Sequence, residues 1–143
     1  MSNFQTVTSI TDNLQSVLKG MGINFTREAY DDEAAIPATI LPHGQIFYEG
    51  ETFEYTHGQK PEYGEILFRL RVVLRERAST DAIREQMKWV HLIRDGLTIN
   101  ALNIGDLVTS KLVSRVTTEG VEIVNNAPRA SIIYRALIRY REL

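Results

Sequence analysis

The sequence predicts an α+β fold: a mostly antiparallel β-sheet with two main helices packed on one face, plus an extended β-hairpin. Three observations carry this. The stretches "EILFRLRVVLRER" (65–77) and "ASIIYRALIRYREL" (130–143) alternate apolar and polar side chains with period two, as half-buried strands do. Residues 6–19 and 79–97 instead repeat their apolar positions at helical spacing. The order is helix, strands, helix, strands, and the later strands are separated only by short turns. That favours antiparallel neighbours over βαβ units.

The elements follow in chain order. Val7, Ile10, Leu14, Val17 and Leu18 form one face of a helix over 6–19, and Gly20 and Gly22 stop it. The chain then extends, with interruptions at Pro37 and Pro42, and Asp31, Asp32 and Glu33 lie on an exposed connection. Segments 46–48 and 53–55, parted by "EGET", predict a hairpin with a glycine in its turn. The "HGQKPEYG" loop carries two glycines and a proline, so 44–64 is expected to be ordered mainly by a partner. In 65–77, Ile66, Phe68, Leu70, Val72 and Leu74 share one face, and Arg69, Arg71 and Arg75 share the other with Leu67 and Val73.

The second helix is capped by Ser79, favoured by Asp81 at its positive end, and followed by Gly96. Its expected buried stripe is Ile83, Met87, Val90 and Ile93 or Leu97, with Arg84, Lys88, His91 and Asp95 opposite. After it come a strand over 107–117, a turn at Glu119-Gly120, a short strand over 121–124, a break at "NNAP" and the closing strand. In that last strand Ile132, Tyr134, Ala136, Ile138 and Tyr140 form the apolar face. Ile133, Arg135, Leu137, Arg139 and Arg141 form the other. The expected core includes Leu14, Phe68, Leu70, Val72, Met87, Val90, Ile132 and Ile138, within one domain spanning 1–143.

Composition narrows the functional classes. At 43% hydrophobic and 24% charged, the 143-residue chain has the make-up of a folded protein. No apolar run approaches the roughly 18 residues of a membrane span. The N-terminus lacks a basic segment followed by an apolar one, so no signal peptide and an intracellular site of synthesis are expected. Zero cysteines remove disulfides, thiol nucleophiles and thiolate metal sites. Three histidines (His43, His57 and His91) show no metal-ligand spacing, and His43 and His57 beside turn glycines read as surface polar residues. There is no phosphate-binding glycine loop and no GxSxG elbow. The expectation is a non-enzymatic protein with no cofactor and no metal.

Charge is informative. Residues 1–65 hold three Lys/Arg against ten Asp/Glu, a balance of −7; residues 66–143 hold thirteen against eight, a balance of +5. No basic cluster is interleaved with exposed aromatics, which disfavours sequence-specific nucleic-acid binding. Tyr30, Tyr48, Tyr55 and Tyr63 gather around the hairpin, either as packing or as interface residues.

The N-terminal helix, the proline-punctuated "AAIPATILPHG", the hairpin and "EILFRLRVVLRER" together resemble the tail terminator (tail completion) proteins of long-tailed bacteriophages. The segment "STDAIREQMKWVHLIRDGLTINALNIGD" is similar to that family's central helix and following loop, and "IIYRALIRYREL" to its closing strand. The resemblance implies a minor tail protein of the virion: a subunit of a homo-oligomeric, hexameric ring at the head-proximal end of the tail. Such a ring is assembled in the host cytoplasm, stops tail-tube polymerisation and joins the tube protein to the head–tail connector protein. It supplies no residue-level motif.

Candidate interface residues therefore come from the charge pattern alone: Tyr48, Glu49, Glu51, Glu54 and Tyr55 on the hairpin, with Arg69, Arg71, Arg75, Arg135, Arg139 and Arg141 on the two strands. If the arginine strands are neighbours, their like charges repel and acids relieve them. Glu49, Glu51, Glu54 and Glu62 can do so from the next subunit of a head-to-tail ring or from within the same chain. A neighbouring head–tail joining protein, a small-ligand-binding α+β module lined by the hairpin tyrosines, and an enzyme pairing His91 with a carboxylate are the alternatives.

Overall fold

The computed structural model describes residues 2–27, 36–55, 58, 61–75, 80–125 and 129–142. Their order is α1 (Asn3–Lys19), β1 (Asn24–Thr26), a 3-10 turn (Ala38–Ile40), β2 (His43–Glu54), β3 (Tyr63–Val73), α2 (Thr80–Gly96), α3 (Ile99–Leu102), a second 3-10 turn (Gly105–Leu107), β4 (Val113–Val124) and β5 (Ser131–Arg141). The five strands form one open sheet in the order β1-β2-β3-β5-β4. Every neighbouring pair is antiparallel except β1 with β2. The fold is α+β.

The two alternating stretches behave as their pattern dictates. Ile66, Phe68, Leu70 and Val72 of β3 and Ile132, Ala136 and Ile138 of β5 are fully buried. They face one another across the central pair of strands, with Ile66 opposite Ile138, Phe68 opposite Ala136 and Val72 opposite Ile132. Helix α1 closes this face with Ile10, Leu14 and Leu18. It begins three residues before the predicted start because Ser2 makes a capping box: its Oγ accepts from Gln5 N at 3.1 Å, and its own N–H donates to Gln5 Oε1 at 2.8 Å. Asn13, buried on the same helix, donates to the carbonyls of Leu102 and Ile104, each at 2.9 Å, and ties α3 and its exit to α1.

Several expectations are corrected. Segments 46–48 and 53–55 are not the two arms of a hairpin; both, up to Glu54, belong to β2, whose long partner is β3. The "EGET" glycine serves a register shift between Tyr48 and Glu51, a bulge with Gly50 at φ 108°. Residues 43–54 are thus paired within the chain, while 56, 57, 59 and 60 of the following loop lie outside the described residues. Likewise 113–124 is one strand with a shift between Thr118 and Gly120 where a turn was predicted, and Leu107 lies in a 3-10 turn. In both cases a glycine beside polar residues signals a turn, but an in-line bulge uses the same residues.

The first half of helix α2 is rotated by one position from its predicted phase, whereas Ile93 and Leu97 are buried as expected. Ala82, Gln86, Trp89, Ile93 and Leu97 are buried, while Ile83 and Met87 are 51% and 58% exposed, so Met87 is not a core residue; Val90 packs at the margin. Buried Gln86 wins the central position because its amide nitrogen donates to Ser131 O at 3.1 Å and Asn125 Oδ1 at 2.8 Å, although its Oε1 meets no partner among the described residues. Val73, placed with the arginines by sequence, is buried in a small satellite cluster with Ile36 and Leu41. His43 is also buried, with Nε2 at 3.2 Å from Thr26 Oγ1, so it is not a surface residue. Ser79, Tyr30, Asp31, Asp32, Glu33 and His57 lie outside the described residues.

Candidate interaction surface

Because both main helices cover one face, the pleat leaves most of the other uncovered, apart from the end where Ile36 and Leu41 lie on Val73. Odd-numbered residues of β3 and β5 point there. Arg69 sits directly opposite Arg135, and Glu65 opposite Arg139. Like charges facing each other on adjacent strands are unfavourable, and the surroundings show how the repulsion is offset. Arg69 Nε lies 2.9 Å from Glu49 Oε1, Arg139 Nη2 lies 2.9 Å from Glu54 Oε2, and Arg135 Nη1 lies 3.7 Å from Glu122 Oε2. The guanidinium of Arg69 is 4.3 Å from the Phe47 ring centre, that of Arg71 5.5 Å from the same ring, and that of Arg139 4.1 Å from the Tyr63 ring. Arg71 also donates through Nε to Gln45 Oε1 at 2.8 Å.

Four of the six candidate arginines are therefore brought together. The other two are not: Arg75 donates to Leu41 O at 2.8 Å beyond the end of β3, and Arg141 donates to Ser110 O at 3.4 Å at the far end of β5. Glu49 and Glu54 relieve the arginines from within the same chain. Glu51 does not, because the bulge after Tyr48 turns it to the helix-covered side. There Tyr48 Oη donates to its Oε2 at 2.6 Å and Tyr140 Oη to its Oε1 at 2.8 Å. The hydrogen bond to Glu51 comes first among the effects that raise the Tyr48 hydroxyl to about pKa 12, ahead of burial and the carboxylate charge. For Tyr140 burial is the foremost cause of an upward shift, with Glu51 next. Tyr48 and Tyr55 are exposed at the outer margin of β2, and Tyr48 meets Phe68 edge to face at 6.3 Å.

Gln45, Phe47 and Glu122 complete the arginine surface and were not foreseen; Tyr63, grouped by sequence with the tyrosines as a packing or interface residue, also lies there. Each is placed by strand register, which no local pattern encodes; only the parity of Phe47 relative to Ile46 hinted at its side. On the same face an open depression of about 370 Å³ is bounded by Glu49, Thr52, Glu65 and Glu119 over a floor of Leu67 and Leu137. Another, of about 250 Å³, lies on the helix-covered side between Phe4, Phe53 and Tyr140. Among the described residues there is no cluster of three metal-ligating side chains, and no helix is long and apolar enough to cross a membrane. No protein-family model matches the sequence, and no curated protein is similar to it.

Proposed function

We propose that the chain is a structural assembly subunit of a phage virion, a ring-forming tail terminator that caps the tail tube and meets the head connector. The observation that carries this reading is the uncovered sheet face, where arginines and glutamates of four strands lie in a broad, half-buried lattice. Surfaces of this kind give register and partner choice in protein–protein contacts through charge complementarity. Both depressions are open, whereas a small-ligand site favours an enclosed pocket with a few convergent polar groups. The side chain of His91, the base of the enzymatic alternative, is exposed and makes no hydrogen bond to a described residue. The reading includes no cofactor, and its partners are further copies of the chain, the tube protein and the connector protein.

Electron microscopy of the purified protein tests it. Six-fold rings with a central hole are expected, and adding them to polymerising tube protein is expected to shorten the tubes. A protein that stays monomeric at high concentration, or rings that leave tube length unchanged, refutes the terminator role. A ring that binds connector but not tube favours the neighbouring head–tail joining role instead.

A further inference from the structure

The sheet has two long free edges, at opposite ends of its strand order. Among the described residues nothing pairs with the outer side of β4 along its 12 residues, and β1 covers β2 only over His43, Gly44 and Gln45. Free edges invite pairing with another chain, and short strands, bulges or charges ordinarily blunt them. Both edges carry a bulge, yet both also display apolar side chains that a blunted edge has no reason to show.

On β2, Tyr48 and Phe53 are 57% and 50% exposed and lie on the helix-covered side, beside Phe4 at 80%. On β4, Val121 and Ile123 are 41% and 46% exposed and lie on that same side, opposite Tyr134 and Ile132. Gln86 fastens α2 above the end of β4, its amide reaching Val124 O at 3.4 Å. Ile83 and Met87 are exposed one position past Ala82 and Gln86 on the same helix, which packs on β4 and β5.

We propose that the β4 edge with its α2 shoulder docks onto the β2 edge of a second copy of this chain, residues 47–54. This deepens the ring reading by naming the contact that builds the ring. Three features select a second copy as occupant. First, the strand directions fit: β2, β3, β5 and β4 alternate in sense, so two copies facing the same way bring β4 against β2 antiparallel. Second, the charges fit. The start of β4 is flanked by Lys111, Arg115 and Arg141, and the end of β2 by Glu62 and by Glu54, which already meets Arg139 of its own chain, and antiparallel pairing sets these ends side by side. Third, the size fits. Three aromatic rings on one side, at about 150–250 Å² each before allowing for their exposed fraction, and four aliphatic side chains on the other reach the order of a standard interface, about 800 Å² per partner, once strand pairing is added. The two edges are different surfaces, so the contact is heterologous and repeats around a ring without using either twice.

The cysteine-free chain makes the test clean. Thr52 of β2 and Thr117 of β4 both point to the uncovered face, opposite Glu65 and Leu137. Thr52→Cys and Thr117→Cys proteins are mixed and treated with a short bis-maleimide. Covalent dimers joining one variant to the other are expected, each variant alone giving few. The double variant should give a ladder ending at the ring number. Ile123→Glu, at an exposed site and checked by its melting temperature, should cut the yield roughly ten-fold, equivalent to about 1.4 kcal/mol of lost association. Dimers formed only within a single variant mean a two-fold contact and overturn the proposal. Six-fold rings without the mixed cross-link overturn the edge assignment and leave the ring reading standing. The mixed cross-link in open filaments supports the edge assignment and overturns the ring. A monomer at every concentration overturns both.

Discussion

Gly64 offers the sharpest test of how the sheet and its buried tyrosine depend on each other. It sits on β3 directly opposite Tyr140 of β5, and a Cβ there would stand 2.5 Å from Tyr140 Cζ and Oη and 2.6 Å from Cε1. The ring is buried and its hydroxyl is held at 2.8 Å by Glu51, so it cannot give way without losing that bond. Overpacking of this kind costs about 1–3 kcal/mol, and loss of a hydrogen bond to a charged group about 1.5–3 kcal/mol. Opposing these, an alanine lowers the entropy of the unfolded chain, a gain of about 0.4–1 kcal/mol. The net expectation for Gly64→Ala is a loss of roughly 2–4 kcal/mol. In urea, where a small domain has a slope of about 1–3 kcal/mol per molar, the midpoint should fall by on the order of 1–2 M with the slope unchanged. Tyr140→Leu destabilises by itself but removes the clashing ring, so Gly64→Ala should cost little in that background, with a coupling above about 1 kcal/mol. A midpoint shift worth less than about 0.5 kcal/mol, or strictly additive costs, would show that the tyrosine does not need the glycine.

Four further outcomes are expected. Phe68→Ala and Ile132→Ala should each cost roughly 2–5 kcal/mol in chemical denaturation, whereas Met87→Ala, on the outer flank of α2, should stay within about 0.5 kcal/mol. Asn13→Ala strips the Leu102 and Ile104 carbonyls of their donor and should cost about 1–3 kcal/mol, seen as early hydrogen exchange in α3. Arg139→Glu/Arg141→Glu should weaken assembly in a salt-dependent way in sedimentation. It should also lower the monomer's melting temperature, because Arg139 is only 21% exposed beside Glu54 and the new carboxylate faces an old one. Tyrosines whose folded pKa is raised contribute stability that is fully present below pH 10 and lost as pH climbs toward 12. Melting temperature should therefore fall over that window, less steeply in Tyr48→Phe and Tyr140→Phe, and an unchanged slope in both variants would sink the assignment.

The sequence by itself determined the two central strands and the sidedness of nearly every residue in them. A period of two leaves no other way to bury Ile66, Phe68, Leu70, Ile132 and Ile138 together, and a one-residue slip would expose them all. It likewise determined α1, where five apolar residues at helical spacing precede two glycines, and the grouping of charges that drew attention to the arginines. Tertiary structure decided the rest. The phase of α2 went to Gln86 over Met87 because hydrogen-bond acceptors at the end of β4 and the start of β5 made a buried amide affordable, and those acceptors are over 35 residues away. The glycines of "EGET" and "TTEG" became bulges, since an aligned partner strand continued past them. Glu51, one residue from a glycine in an acidic run, was carried by the first bulge from the arginine side to the tyrosine side. Local pattern sets which way a side chain points relative to its neighbours; only the pairing of distant strands sets what it meets.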